Sequence, residues 1–255
     1  MPHMFDLKGR VAVVTGGNGG IGLGMARGLA RAGAQVVVAA RDEAKSRAAV
    51  DELIAHGGAA TAIAVDVTSE AAVAAMVDEV IRRCGRLDIL VNNAGTNIRK
   101  PTQDLSLDQW RTVMDTNLTS AFLCSRTAYP HMKRAGGGKI INVGSLLSTF
   151  GAAFAPAYGA SKGGLVQLTK SMAVGWAVDN IQVNAVLPGW IDTELSRGAR
   201  REIPGLEASA VARTPMGRWG RPDDLAAVAV FLAGTSSDFI TGAAIPVDGG
   251  YSIAL

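Results

Sequence analysis

The stretch VAVVTGGNGGIG at residues 11–22 decides the fold, because a strand pattern passes through a glycine-rich turn into a helix pattern. Its first four residues are a short run of apolar, mostly β-branched side chains. The apolar residues Ile21, Met25 and Leu29 then recur at helical spacing, and Gly33 ends the segment. The chain is therefore predicted to begin with a strand, a tight turn and a helix.

The same alternation of strand and helix patterns continues along the chain. The further predicted strands are 36–40, 62–65, 89–91, 139–143, 181–187 and 245–247, and the further predicted helices are 43–56, 69–84, 107–135, 157–178 and 226–233. The strands are nearly continuous apolar runs, which indicates that helices cover both faces of the sheet. We therefore expect an α/β fold with a doubly wound parallel sheet, the Rossmann type.

One domain is expected over residues 7–255, since no internal repeat and no Ser- or Pro-rich linker divides the chain. Residues 192–221 interrupt the alternation, because they carry several prolines and many charges but no clear strand. A structureless loop of this length is uncommon in a compact domain. The segment is predicted to be a small helical insert or a mobile lid, and we favour a lid.

Composition excludes several classes of protein. Of the 255 residues 48% are hydrophobic and 18% charged, and no apolar run reaches the length of a membrane span, so we expect a globular, soluble chain. The net charge is only +3 without blocks of like charge, which argues against nucleic acid as a partner. The two cysteines form no disulfide framework and the three histidines are scattered, so we expect a cytoplasmic protein without a metal site.

The glycine-rich turn lies where dinucleotide-binding folds hold phosphate. Glycine tolerates positive φ and, lacking Cβ, lets a pyrophosphate approach the N-terminus of the following helix. Two spacings fit the sequence: Gly17, Gly19 and Gly22 match GxGxxG, whereas Gly16, Gly20 and Gly22 match TGxxxGxG. The turn predicts a dinucleotide site and leaves the choice between these spacings open.

The end of the second strand bears on which dinucleotide binds. A carboxylate there binds the ribose 2′-hydroxyl of NAD, whereas an arginine binds the 2′-phosphate of NADP. Here Ala40 ends the predicted strand, and Arg41 and Asp42 follow it. The distance of Asp42 from the turn favours NAD, whereas the register at the strand end favours NADP. We give more weight to the register and expect NADP, with NAD as the alternative.

Six motifs in a fixed order carry a resemblance to a known family. They are TGGNGGIG at 15–22, NNAG at 92–95, Asn117, Ser145, YGASK at 158–162 and PG at 188–189. Together they resemble the classical short-chain dehydrogenase/reductase family from about Leu7 to Gly250. The stretch 93–101 further resembles the gluconate and deoxygluconate type of dehydrogenase, and the 3-oxoacyl-ACP reductase type is the second subgroup considered.

The spacing of Tyr158 and Lys162 has a physical meaning of its own. Residues four apart on a helix share one face, with Cβ atoms about 6 Å from each other. Ionising a phenol of pKa near 10 at pH 7 requires about 4 kcal/mol. A Lys ammonium about 4 Å away supplies about that energy at an effective dielectric constant near 20. We therefore expect Lys162 to lower the pKa of Tyr158.

The resemblance implies an NAD(P)-dependent oxidoreductase that transfers a hydride between the nicotinamide and a secondary alcohol or ketone. It implies that Tyr158 is the general acid and base, that Lys162 lowers its pKa and holds the nicotinamide ribose, and that Ser145 hydrogen-bonds the substrate oxygen. Asn117 is expected to hold a water that links Lys162 to solvent. The family also implies a homotetramer.

Further positions follow from the resemblance as cofactor contacts. They are Gly16, Asn18, Gly20, Ile21, Gly22, Arg41, Asp66, Val67, Asn93, Ala94, Gly95, Tyr158, Lys162, Pro188, Gly189, Ile191 and Thr193. Asp66 and Val67 are expected beside the adenine. Many NADP-using members also carry a basic residue inside the glycine turn, and residues 17–19 offer none here.

The substrate is predicted less sharply than the reaction. The candidate substrate contacts are Ser145, Tyr158, Asn97, Arg99, Trp190 and Arg197. Cations converging on a pocket suit an anionic hydroxy acid such as a sugar acid. Two alternatives remain: a reductase of less polar ketones or 3-oxoacyl groups, and a nucleotide-sensing protein without catalysis.

Overall fold

The computed structural model describes residues 5–254, which form a seven-stranded parallel sheet in the order β3-β2-β1-β4-β5-β6-β7. The strands are β1 Val11–Thr15, β2 Gln35–Ala40, β3 Ala59–Ala64, β4 Ile89–Asn92, β5 Gly138–Val143, β6 Ile181–Pro188 and β7 Ala244–Val247. The predicted α/β fold with a doubly wound parallel sheet is confirmed. The strand order reverses between β1 and β4, which opens a crevice at the carboxyl ends of the strands.

Helices cover both faces of the sheet. They are α1 Gly20–Arg31, α2 Glu43–Ala55, α3 Glu70–Cys84, α4 Leu107–Met114, α5 Ser120–Arg134, α6 Pro156–Trp176, α7 Glu194–Glu202, α8 Leu206–Arg213 and α9 Ala226–Ala233. One buried cluster joins α1 and α9 to the sheet through residues such as Met25 and Leu232. The other joins α3 and α5 to the opposite face through residues such as Val77 and Met132. These two layers hold the strand ends in place.

Most elements lie within two residues of their predicted bounds, and two differ by more than that. The predicted strand 62–65 is observed as β3, because every residue of β2 from Gln35 to Ala40 pairs with it and thereby sets its length. The predicted helix 107–135 contains a π-helical segment, Asp115–Thr119, between α4 and α5. Such segments insert one extra residue into a helix and are frequent at functional sites. The side chain of Asn117, in this segment, bonds groups outside the helix.

Residues 192–221 contain the two helices α7 and α8, so the segment is a helical insert. A single bridge between Ile191 and Gly220 brings its two ends together. The end of the predicted domain, Leu255, lies outside the described residues. Within residues 5–254, we find no helix that combines the length and the apolar character needed to cross a bilayer.

Candidate active site

The glycine turn between β1 and α1 forms a cradle that side chains would fill. Gly16 and Gly20 have φ values of +62° and +51°, in the left-handed region that favours glycine. A Cβ on Gly22 would lie 2.4 Å from both Asn93 Nδ2 and the Gly16 carbonyl oxygen. Helix α1 starts behind Gly19 without a side-chain cap, so its first N–H groups face the turn. The structure therefore favours the TGxxxGxG spacing, and the turn fits a dinucleotide phosphate.

The end of β4 holds this turn in place. Asn93 donates from Nδ2 to the carbonyl oxygens of Thr15 and Gly16 at 3.0 and 3.1 Å. Thr15 Oγ1 accepts from the backbone N–H groups of Asn93 and Ala94 at 3.0 and 3.1 Å. Thr15 was not singled out from the sequence, although its position before Gly16 was a signal. These bonds fix the floor of the crevice where the strand order reverses.

The ends of β2 and β3 carry the residues that were predicted to contact the adenosine of the cofactor. Arg41 is exposed directly after β2, whereas Asp42 caps α2 by accepting from the backbone N–H of Lys45 at 2.9 Å. The N–H and hydroxyl of Thr68 both donate to Asp66 and lower its pKa, and the charge of Arg41 adds to this effect. The structure thus gives Asp42 a capping role and leaves Arg41 at the strand end.

Three of the four predicted catalytic residues, Ser145, Tyr158 and Lys162, come together at the carboxyl end of β5 and the start of α6. Lys162 Nζ lies 5.7 Å from the centre of the Tyr158 ring and donates to the Val143 carbonyl oxygen at 2.6 Å. Tyr158 is hydrogen-bonded to Ser145. Ser145 Oγ also accepts from the backbone N–H of Leu147 at 3.1 Å. Tyrosine, serine and lysine therefore surround one point at the mouth of the crevice.

Burial decides the protonation of this cluster. Desolvation raises the pKa of Tyr158, while the hydrogen bond with Ser145 and the charge of Arg99 act in the opposite direction. Desolvation lowers the pKa of Lys162 to about 8. Lys162 is not among the groups that shift the pKa of Tyr158 in the chain by itself, so its predicted effect on the phenol stays a prediction. Its ammonium points to the Val143 carbonyl, and burial of the phenol outweighs the charges near it.

Asn117 links three parts of the site. Its Oδ1 accepts from the Thr96 N–H at 2.7 Å, and its Nδ2 donates to the Thr96 carbonyl and to Ser161 Oγ, both at 3.0 Å. A Cβ on Gly95 would lie 3.3 Å from Asn117 Oδ1 and 3.6 Å from Lys162 Nζ. The space beside Gly95 therefore lies between the two polar groups. Ser161 was not predicted from the sequence, although it stands inside the YGASK motif.

The end of β6 borders the same crevice. Pro188 and Ile191 are buried, and Gly189 packs so closely on Asp248 that a Cβ would lie 2.7 Å from its Cα. Thr193 caps α7, and its Cγ2 lies 3.2 Å from the point where a Cβ of Gly20 would be. The base of the helical insert thus closes against the glycine turn.

The predicted substrate contacts divide into two groups. Arg99 is 11% exposed, bonds the Leu195 carbonyl and Glu202 of α7, and carries the charge that acts on Tyr158. Asn97 Oδ1 is buried and has no hydrogen-bond partner among residues 5–254. Both residues follow β4 at the mouth of the crevice and offer polar groups to a ligand.

The side chains of Trp190 and Arg197 contact residues of the segment 192–221. The Trp190 ring packs on Trp219 with centroids 5.3 Å apart. Arg197 is exposed and binds both carboxylate oxygens of Asp192 at 3.0 Å. Arg200 binds the same carboxylate. Of the predicted cationic contacts, Arg99 lies at the mouth of the crevice, whereas Arg197 is paired with Asp192 inside the insert, so the structure does not bring several free cations together there. In the part of the chain that the structure describes, no group of His, Cys, Asp and Glu could hold a metal ion.

Comparisons with known proteins agree on one family. A family model described as enoyl-(acyl carrier protein) reductase matches residues 16–252. The 2-dehydro-3-deoxy-D-gluconate 5-dehydrogenase of Escherichia coli K12 is 40% identical, with 97% of each chain covered. A 3-oxoacyl-[acyl-carrier-protein] reductase of rhamnolipid biosynthesis from Pseudomonas aeruginosa is 39% identical, covering 99% of this chain and 100% of that protein.

A solved structure gives the same result. The gluconate 5-dehydrogenase of Burkholderia cenocepacia J2315, in complex with NADP and tartrate, superposes with a TM-score of 0.94. It is 41% identical and covers 99% of this chain and 98% of its own.

Proposed function

This chain belongs to the short-chain dehydrogenase/reductase family and is an NAD(P)-dependent oxidoreductase acting on CH–OH groups, and from that premise we propose that its substrate is a sugar acid. One observation carries the proposal: a largely buried guanidinium, Arg99, acts electrostatically on the phenol of Tyr158. A largely buried cation whose charge acts on the reacting group suits a substrate that carries a carboxylate near its hydroxyl.

The partners of Arg99 support this proposal. Glu202 is 55% exposed and Leu195 contributes only its backbone carbonyl. A substrate carboxylate can therefore share the guanidinium through two parallel hydrogen bonds. Both partners come from α7, and we propose that residues 192–221 act as a lid over the substrate. Relatives named as deoxygluconate and gluconate 5-dehydrogenases have the same substrate class.

We propose that Tyr158 transfers the proton. Its phenol gives a proton to the substrate oxygen during reduction and takes it back during oxidation. Ser145 lies beside the phenol, and its hydroxyl can donate a hydrogen bond to the same substrate oxygen, stabilising the charge that develops there. When bound, the nicotinamide supplies the hydride acceptor or donor.

Lys162 and Asn117 are proposed to supply that proton from solvent. With a pKa of about 8, Lys162 exchanges protons near neutral pH. Asn117 Oδ1 keeps one lone pair after its bond from Thr96. A water beside Gly95 can contact both this oxygen and Lys162 Nζ. This arrangement supports the predicted water link, in which Asn117 Oδ1 accepts a hydrogen bond from the water.

NADP is the proposed cofactor. Arg41 is exposed at the end of β2, and the nearest carboxylate in the sequence, Asp42, is occupied as the cap of α2. The Burkholderia cenocepacia relative binds NADP. An arginine at this position favours a 2′-phosphate over a free 2′-hydroxyl.

A panel of substrates tests the proposal. With NADP, kcat/KM for a six-carbon aldonic acid should exceed that for the matching uncharged polyol by about 50-fold, because the polyol lacks the carboxylate that binds Arg99. Arg99→Gln should abolish this ratio, while Arg197→Gln, which removes a cation paired with Asp192, should leave it unchanged. Equal rates of the wild type on acid and polyol would contradict the proposal.

A 3-oxoacyl reductase is the second candidate, and the Pseudomonas aeruginosa relative is the observation in its favour. The same panel separates the two when it includes a 3-oxoacyl thioester. A thioester preferred over every sugar acid would favour this second function. Absence of turnover with all substrates, despite cofactor binding, would favour a nucleotide-sensing role.

We further propose a cytoplasmic homotetramer. Exposed apolar side chains on and near α6 support self-association: Val174, Val178 and Phe239 are 82%, 88% and 105% exposed. Leu225, directly before α9, and Leu232, within it, are buried in the core and do not belong to this exposed surface. Sedimentation equilibrium at micromolar concentration should give four times the chain mass, and a monomer there would contradict the proposal.

A further inference from the structure

A lysine from α2 occupies the space beside the glycine turn. A Cβ on Gly19 would lie 3.0 Å from Lys45 Cε and 3.2 Å from Lys45 Nζ. The ammonium thus stands where a side chain of the turn would project. The turn itself carries no basic residue at positions 17–19. We propose that Lys45 replaces that missing cation and, with Arg41, selects NADP by binding its 2′-phosphate.

The side of the turn that Lys45 faces identifies the phosphate. Asn18 Nδ2 donates to Ser46 Oγ at 3.1 Å and to the Asp42 carbonyl at 3.4 Å, so residues 18 and 19 face α2 and the end of β2. The ribose 2′-position is recognised at the end of this strand. The pyrophosphate instead belongs at the N-terminus of α1, which begins at Gly20. Lys45 is therefore placed on the ribose side.

The charges around Lys45 leave it able to bind a phosphate. Its carboxylate partner is Glu194 of α7, at 3.2 Å, and the two side chains are 47% and 86% exposed. An exposed pair of this kind contributes little free energy. Asp42 accepts the Lys45 backbone N–H and so takes part in capping. A doubly charged phosphate forms the stronger charge-assisted bond and displaces Glu194 from Lys45.

The exchange connects the cofactor with the helical insert. Glu194 is the first residue of α7, and the same helix holds Arg99 through Leu195 and Glu202. When NADP binds, Lys45 leaves Glu194, and the ion pair between α2 and the insert is lost. The inference rests on the proposed use of NADP and adds Lys45 to Arg41 as a residue that selects NADP over NAD.

Equilibrium binding tests the assignment without turnover. Adenosine 2′,5′-bisphosphate and 5′-AMP differ by the 2′-phosphate alone, and NADPH and NADH differ in the same way. Titration calorimetry should show that Lys45→Gln weakens the bisphosphate and NADPH about 10-fold, while 5′-AMP and NADH change less than about 2-fold. Arg47→Gln is the matched control, since it removes an exposed cation from the same helix, and it should change none of the four affinities.

Other results would overturn the role of Lys45. Equal weakening of both ligands in each pair would assign it to the pyrophosphate, and no weakening would leave it a solvated surface cation. The two proposals fail separately: a wild type that prefers NADH refutes NADP as cofactor, whereas a Lys45→Gln variant that keeps a wild-type preference for NADPH refutes only Lys45.

A second variant tests the exchange with Glu194. Glu194→Gln should tighten binding of the bisphosphate about 3-fold in the wild-type background, because Lys45 no longer has to leave a carboxylate. In the Lys45→Gln background the same change should have no effect. A gain of equal size in both backgrounds would show general charge repulsion by Glu194 and would contradict the exchange.

Discussion

At the scale of single residues, opposing effects act on the phenol of Tyr158. Burial keeps it protonated, and the bond with Ser145 and the charge of Arg99 favour the phenolate. Lys162 lies one helical turn away, but its ammonium donates a hydrogen bond to the Val143 carbonyl oxygen. In the resting chain the phenol of Tyr158 is therefore protonated, as its proposed role of proton donor in carbonyl reduction requires.

Removing the phenolic hydroxyl should stop catalysis without loss of binding. Tyr158→Phe is expected to lower kcat by about 10³-fold, since positioned proton transfer contributes a factor of this size. NADPH affinity, measured by fluorescence titration, should stay close to that of the wild type. Tyr129→Phe is the control, because its hydroxyl binds Asp179 away from the site. Undiminished turnover of Tyr158→Phe would refute the proposed role.

The buried ammonium of Lys162 should lower the free energy of unfolding at the pH values at which it is charged. Its folded-state pKa of about 8 lies below the unfolded value near 10.4, so the unfolded chain binds more protons between these pH values and stability rises with pH there. Lys162→Met should therefore raise the free energy of unfolding by about 2 kcal/mol at pH 7, after allowing for the unpaired Val143 carbonyl.

This gain should shrink above pH 8 as the wild-type lysine becomes neutral in the folded state. Urea unfolding at pH 7 and pH 10 measures the difference between variant and wild type. A gain that is the same at both pH values would show that charge burial is not its cause.

At the scale of elements, the cap of α2 separates two interpretations of Asp42. Asp42→Ala should lower the free energy of unfolding by about 1 kcal/mol, since the N–H of Lys45 loses its acceptor. Asp42→Ser keeps a capping oxygen and should restore most of this loss. NADH affinity should be unchanged in both variants. A selective loss of NADH binding in both would identify Asp42 as a ribose ligand and refute the capping interpretation.

At the scale of the whole molecule, the carboxyl and amino ends of the parallel strands have different roles. The carboxyl edge carries the site, whereas the amino edge is held by Asp88, which is 2% exposed. Asp88 accepts from the Val11 N–H at 2.9 Å, from Arg86 at 2.6 and 2.7 Å, and from Arg10 at 3.1 Å. Burial alone would raise the pKa of Asp88, but these hydrogen bonds lower it overall.

Asp88→Asn should therefore destabilise the fold and leave the chemistry intact. We expect the free energy of unfolding to fall by about 2 kcal/mol at pH 7. The loss is smaller than for a fully buried ion pair, because the two arginines remain in contact with water. The wild-type advantage exists above the unfolded pKa near 4 and disappears as the pH falls through the lower folded pKa. Unfolding at pH 7 and pH 3 measures this, and a changed kcat/KM of the folded variant would contradict it.

Much of the fold could be predicted because its signals are local. The alternation of strand and helix patterns, the turn at residues 15–22 and the four-residue spacing of Tyr158 and Lys162 depend on neighbours in the chain. The bounds of β3 and the π-helical segment around Asn117 were missed, since a partner strand and the distant groups of Thr96 and Ser161 determine them.

By itself the sequence determined the parallel sheet, the glycine-rich turn after β1 and the residues that lie at the carboxyl ends of the strands, because strand period, helix period and glycine spacing are properties of short segments. The tertiary structure alone decided that burial raises the pKa of Tyr158, that Asp192 neutralises Arg197, and that Lys45 stands over Gly19. Desolvation and charge pairing depend on distances between residues far apart in the chain, and only packing sets those distances.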